Sequence, residues 1–395
     1  MISLILYGRN DSHGYNLHKR AAISLNAMAE VLHGADDEII FVDYNTPDDL
    51  PTFPEAIQDT LSAVTKARLR VLRVRPKHHR QFEAKTHLVA LEPIARNVAL
   101  RRSNPNNRWV LSTNTDMVFV PANPSESLSD IAAGLPDGYY HLPRFEIPEC
   151  LWEGFDRADG QGIIKAVREF GPRFHLREIV HSHHDNLYDA PGDFQLALRS
   201  DLFEIHGFHE EMLIGWHVDA NLARRFKFKR GQVQSALKHL TGYHCDHTRQ
   251  ATAYHGHDRK ENDSVRFVSN VQAAVIPAQA ETWGLADETI EEIDLRRGVT
   301  VRYFDALKTS LPAGSDAFYE SRYTPDSYND LRYAAEHVVP YVVDLLSCSP
   351  PDITVGYAGV RPDTFRLLRG ALASLDPTMR IVTPTTCAWV PSRDQ

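Results

Sequence analysis

Asn114 and Asp116, in the run Trp-Val-Leu-Ser-Thr-Asn-Thr-Asp-Met-Val-Phe-Val-Pro over 109–121, are the residues of this chain best placed to do chemistry. An apolar strand ending at Leu111 breaks into a polar turn, and a second apolar strand starts at Met117. The carboxyl ends of strands in open α/β sheets face a crevice, where a carboxylate is a hard ligand able to hold a divalent cation against phosphates. The other reading of Asn-Thr-Asp is a turn cap. His244 and His247 stand in Gly-Tyr-His-Cys-Asp-His-Thr-Arg, within a stretch from His175 to His257 that holds twelve of the twenty histidines. Acid–base or metal chemistry belongs there, although both rings could equally be polar residues on one face of a turn. Asp219 lies in the first turn of a helix beginning at Val218, where a carboxylate either meets a substrate or only favours the helix dipole. Asp43, closing the strand before Tyr44-Asn45-Thr46-Pro47, is likewise a ligand or a turn cap.

The elements that must position these groups alternate in type. Strands are expected at 2–7, 38–43, 68–74 and 109–111, with helices at 16–32, 54–65 and 85–101; Leu17, Ala21, Leu25, Met28 and Leu32 recur at helical spacing. That order predicts a parallel sheet with right-handed crossovers, which puts Gly8–Asp11, Asp43–Thr46 and Asn114–Asp116 on one edge. Residues 122–190, rich in Pro, Gly and aromatics, read as irregular excursions around a site. Pattern returns with a strand in 192–198, a short helix at 201–203 and a helix at 218–226. After about 285, helix and strand signals between Tyr333 and Val382 predict a small α/β appendage; its turn Gly356-Tyr357-Ala358-Gly359 suits packing or a ligand.

Composition narrows the classes. The 395 residues are 43% hydrophobic and 24% charged with a net charge of −9, so no global basic field recruits nucleic acid. Cys150, Cys245, Cys348 and Cys387 are widely spaced without a C-x-x-C pair, which argues against a disulfide framework and for a reducing cytoplasm. No leader is expected at the N-terminus, and no apolar run reaches the ~18–20 residues of a membrane span. Any membrane association is therefore expected to be peripheral, at the inner face. Self-association into a homo-oligomer is left open.

Taken in order, these motifs resemble the inverting, nucleotide-sugar-dependent GT-A glycosyltransferases, a branch that includes bacterial polysaccharide transferases and β-1,4-galactosyltransferases. The resemblance covers residues 1–270. It rests on Tyr7-Gly8-Arg9-Asn10-Asp11, Phe41-Val42-Asp43, Asn114-Thr115-Asp116, Gly207-Phe208-His209-Glu210-Glu211 with Gly215-Trp216-His217-Val218-Asp219-Ala220-Asn221-Leu222, and His244-Cys245-Asp246-His247. It implies a GT-A fold, Rossmann-like and mostly parallel with flanking helices, over 1–284, followed by the α/β appendage 285–395. Residues 1–121 would form the nucleotide-binding half and 122–284 the acceptor and metal half. Gly8, Arg9, Asn10, Asp43, Asn114 and Asp116 would meet the donor, expected to be a UDP-sugar. Asp116, His244 and His247 would hold Mn²⁺ or Mg²⁺, with imidazole favouring Mn²⁺. Asp219 would be the general base, and Asp193 and Trp216 would meet a glycan or glycolipid acceptor.

The pattern also departs from the family. Asn114 replaces the first acid of D-x-D, Val218 and Asn221 replace acids of E-D-x-D-L, and His244 stands at the methionine of M-x-x-H. Lys85 reads as a phosphate partner or a solvated charge, His255 and His257 as structural, and Trp152 and Trp283 as core residues or sugar platforms. Two alternatives remain. One is a zinc hydrolase using His181, His183, His184 and Asp185 with His244 and His247; the other is a catalytically inert transferase-like scaffold, favoured by Asn114 and Val218.

Overall fold

The computed structural model describes residues 1–10, 17–171, 192–215, 217–247, 281–297, 355–356 and 381–382. The first half runs β1 (Ile2–Gly8), α1 (Leu17–Glu30), β2 (Glu38–Tyr44), α2 (Phe53–Ala56), α3 (Ala63–Arg68), β3 (Leu69–Val74), α4 (Pro76–His79), α5 (Glu92–Arg101), β4 (Trp109–Ser112) and β5 (Met117–Pro121). It continues with α6 (Leu128–Gly134), β6 (Tyr139–His141), β7 (Arg144–Ile147), α7 (Glu149–Trp152), α8 (Gly160–Phe170), β8 (Gln195–Leu198) and α9 (Arg199–Glu204). Helix α10 (Val218–Arg230) is followed by β9 (Gln234–Ser235), β10 (Leu240–Cys245), β11 (Glu291–Ile293), β12 (Val355–Gly356) and β13 (Ile381–Val382).

The large sheet has the order β11-β3-β2-β1-β4-β8-β6-β9. Strands β3, β2, β1 and β4 are parallel, β8 runs antiparallel between β4 and β6, and β11 is antiparallel on β3. The fold class is thus the expected α/β one with a parallel centre. Strand β1 has both faces covered, which explains its unbroken apolar run. Leu4 and Leu6 belong to one buried cluster with Ala21, Leu25 and Met28 of α1, whereas Ile5 belongs to another with Ile94 and Val98 of α5 and Leu222 and Phe226 of α10. A second sheet, β5-β10-β7, closes over α8 through Val118, Tyr243, Ile147, Ile163 and Val167.

The helix expected at 85–101 starts only at Glu92. Pro93 has no N–H to give, and its ring would clash with a carbonyl four residues earlier, so it suits only a first turn. The helix expected at 54–65 is broken by a 3₁₀ turn at Gln58–Thr60, after which the Ser62 hydroxyl caps α3. Residues 122–171, read as irregular, hold three helices and two strands. Their starts rest on local caps: Ser127 and Asp130 form a capping box, and Asp159 accepts from the Gly162 N–H. Residues 285–297, assigned from sequence to the appendage, pack here on the large sheet. Leu285 and Leu295 are buried, Glu292 pairs with Arg70 at 2.8 Å and Glu291 with Arg75 at 2.6 Å. Of the remaining appendage, β12 and β13 pair in parallel. His181, His183, His184, Asp185, Trp216, His255, His257 and the 357–359 turn lie outside the described residues. Trp152 and Trp283 are core residues, and among the described residues no helix is long and apolar enough to cross a membrane.

The Gly207 turn fastens α9 to α10. Gly207 has φ +61°, and a Cβ there would lie 2.1 Å from Asn97 Oδ1, which itself accepts from the Phe208 N–H at 2.7 Å. Arg225 donates to the Gly207 carbonyl at 2.6 Å. Gly207→Ala is expected to cost about 2 kcal/mol or more of stability in chemical denaturation. An unchanged unfolding midpoint would contradict this packing.

Candidate active site

Register in the small sheet builds the core of the site. His244 on the central strand β10 stands opposite Met117 of β5 and Glu146 of β7, and the Cys245 N–H bonds the Asp116 carbonyl at 2.9 Å. Opposed residues share a sheet face, so His244 and Glu146 meet there. His244 Nδ1 lies 2.5 Å from Glu146 Oε2, and its Nε2 lies 3.3 Å from Asp116 Oδ2. His247, just past the strand, brings its own Nε2 to 3.3 Å from the same oxygen. Arg20, buried on α1, donates to that oxygen as well. The candidate ligand atoms of Asp116, His244 and His247 all lie within 4.8 Å of one another.

This set fits a first-row divalent cation. Ligands about 2.1 Å from one ion stand about 3.0–3.4 Å apart, the spacing of both imidazole nitrogens from Asp116. His244 Nδ1–H donates to Glu146, which leaves Nε2 as the ring atom turned toward Asp116. Two lone pairs in that position repel unless a proton or a cation lies between them. Electrostatics reflect the crowding. Burial opposes ionisation of Asp116, but His244, His247 and Arg20 overcome it and hold its carboxyl well below the usual range. Burial likewise opposes charge on His244, yet Glu146 and Asp116 raise it to about 9. For His247, burial first and then Arg20 push it down to about 4, so its ring is neutral at pH 7.

A second network leads from this cluster to Asp193 and Asp219. Arg144 pairs with Glu146 at 2.8 Å and with Asp193 at 3.3 Å. Asp193 Oδ1 accepts from the Asn114 amide at 2.6 Å, and Asn114 Oδ1 accepts from Arg96 at 2.7 Å. Arg96, buried on α5, also holds the Thr113 carbonyl at 2.9 Å and Glu92 at 2.8 Å. Next to Asp193, the Gly192 N–H donates to Asp219 Oδ2 at 2.9 Å, while the Ala220 N–H donates to Oδ1 at 2.8 Å. Burial, and then the nearby Glu92 carboxylate, push Asp219 up to about 6.

The remaining candidates line the ends of β1 and β2. Gly8 pairs in register with Asp43, Arg9 donates to the Asn45 carbonyl at 2.8 Å, and the Asn10 N–H bonds Thr46 Oγ1 at 3.0 Å. Asp43 Oδ1 accepts from Thr46 and from the Phe53 N–H, both at 2.8 Å. Its Oδ2 is buried with no hydrogen-bond partner among the described residues, and burial pushes the carboxyl up to about 6.

Sequence reasoning missed Arg20, Glu92, Arg96, Arg144 and Glu146. Arg20 carried a signal: it sits three residues after Leu17 on the apolar stripe of α1, where a cation needs a buried partner. Arg144 and Glu146 alternate on one face of a strand that the sequence did not show.

No protein-family model and no curated protein matches this sequence. Solved structures similar to it include the catalytic domain of Drosophila β1,4-galactosyltransferase 7 in complex with xylobiose, at 13% identity and TM-score 0.33 over 69% of this chain and 79% of that one. Another is a mannosyltransferase from Pyrobaculum calidifontis in complex with GDP-Man and Mn²⁺, at 14% identity and TM-score 0.37 over 95% and 81% of the two chains. A third is glucosyl-3-phosphoglycerate synthase from Mycobacterium tuberculosis with Mn²⁺, UDP and phosphoglyceric acid, at 14% identity and TM-score 0.30 over 70% and 75%. Likenesses this distant assign neither substrate nor residue roles to this chain.

Glu146→Gln removes the charge that favours the His244 imidazolium. In the metal-free protein, NMR titration of His244 should then move down from about 9 toward the ordinary histidine range. A titration that stays in place would show that Glu146 does not set this ring.

Proposed function

We propose that the protein is a metal-dependent, inverting glycosyltransferase that moves a sugar from a nucleoside-diphosphate donor, UDP-linked by expectation, to a glycan acceptor. The observation that carries this reading is the convergence of the Asp116, His244 and His247 ligand atoms at the turn after β4, whose strand runs parallel to β1 and β2 and so ends on the same edge. A divalent cation bound there would supply Lewis-acid neutralisation of the departing diphosphate. Asp116 and the two imidazoles would hold it, with Glu146 accepting from His244 Nδ1–H so that Nε2 is the ligating atom. Asp43, fully buried and tied to Thr46 and the Phe53 N–H, holds the turn at the donor end of the same edge.

Asp219 supports the inverting step. Two backbone N–H groups fix its carboxylate, and a pKa of about 6 leaves it ionised at pH 7 but basic enough to take the acceptor hydroxyl's proton. Asp193, paired to Arg144 and adjacent in the chain to the Gly192 that donates to Asp219, would shape the acceptor side.

A screen of nucleotide sugars with Mn²⁺, reading released UDP, GDP or CMP, tests the reaction class; no release from any donor would remove it. Asp219→Asn is expected to lower kcat by about 10²–10⁴-fold and leave Mn²⁺-dependent nucleotide binding intact. Undiminished turnover would exclude Asp219 as the base. Because Asp219 acts only when ionised, kcat/KM should fall as pH drops through about 6, and a flat acid limb would contradict its role. Ligation removes the His244 Nε2 proton, so Mn²⁺ affinity measured calorimetrically should rise about tenfold per pH unit at neutral pH. Affinity independent of pH would place the ion elsewhere.

A further inference from the structure

We propose that Asn114 and Asp193 form a positioning strut joining the cation-side turn to the loop that holds Asp219, so that residue 114 places a loop and ligates no cation. This inference rests on the reading of Asp219 as the base. Both ends of the Asn114 amide are engaged: its oxygen accepts from Arg96 at 2.7 Å and its nitrogen donates to Asp193 at 2.6 Å. A carboxylate at 114 could only accept, and it would face the Asp193 carboxylate at hydrogen-bond distance. The Thr113 hydroxyl adds a second tie, donating to the Asp193 carbonyl at 2.6 Å. Directly before Asp193, Gly192 gives its N–H to Asp219. A Cβ on Gly192 would lie 3.2 Å from the Asp219 Cβ, so the loop and the base are packed as one unit. Through Arg144 and Glu146 the same circuit reaches His244. A shift of the 113–116 turn is therefore transmitted to Asp219 by hydrogen bonds and not by loose packing.

The strut explains the departure from a two-acid turn. Asparagine is the residue that satisfies a guanidinium on one side and a carboxylate on the other, and aspartate is not.

The test uses the full chain with Asn114→Asp, Asp193→Asn and the two combined. The combined exchange reverses donor and acceptor while still offering oxygens to Arg96 and Arg144. Asn114→Asp alone should leave Mn²⁺ affinity within about threefold of wild type, and should lower kcat for UDP release about tenfold or more with donor KM unchanged. The combined variant should recover most of that turnover and also the melting temperature lost by each single change, a non-additive cycle. The proposal is overturned if Asn114→Asp binds Mn²⁺ about tenfold more tightly and keeps its turnover, since residue 114 would then be a ligand position. It is also overturned if the two changes simply add in melting temperature. Where wild type releases no nucleotide from any donor, the transferase reading fails on its own, and the melting-temperature cycle still decides the strut.

Discussion

One oxygen atom, Asp116 Oδ2, organises the site: a guanidinium from α1 and imidazoles from either side of the end of β10 all reach it. A buried carboxylate with its charge uncompensated is expensive, and removing one partner of such a pair typically costs about 3–5 kcal/mol. The surrounding structure is arranged to keep that charge matched. Arg20 must lie on the inner face of its helix, His244 must take the middle strand of its sheet, and Glu146 must stand opposite it. Each of these is a statement about packing or register before it is a statement about chemistry.

The two sheets divide the work. The large sheet supplies rigid parallel strands whose carboxyl ends carry the Gly8, Asp43 and Asn114 turns, and its burial on both faces fixes where those turns sit. The small sheet supplies the imidazole and its orienting carboxylate. The 113–116 turn, where the chain passes from β4 in one sheet to β5 in the other, is the joint between them. Asn114 binds back to the large-sheet side through Arg96, and Asp116 leads into the small sheet. A displaced joint would disturb both the Asp116 cluster and the loop that holds Asp219.

The parallel core was legible because period, length and turn chemistry agree along β1 to β4. The alignment of Asp116 with His244 and His247 was legible only through resemblance, since nothing local links residues so far apart in the chain. Glu146 and Arg144 escaped because their strand is four residues long and lies in a Pro- and aromatic-rich stretch without clear alternation. Arg96 escaped because only tertiary packing, which no local pattern shows, buries it against the 112–114 turn. Pro93 was a readable stop that set the true start of α5. Caps work at short range: Ser127 with Asp130, and Asp159, start helices where hydrophobic periodicity is weak, which is why this stretch read as irregular.

A crystal structure with Mn²⁺ and UDP, the ion located by its anomalous scattering, shows whether the cation sits on Asp116 Oδ2. One manganese is expected, bound by Asp116 and by the Nε2 atoms of His244 and His247, with Glu146 still on the His244 Nδ1. Manganese bound away from Asp116, or both imidazoles still donating to Asp116 with nucleotide and ion present, would contradict this ligation.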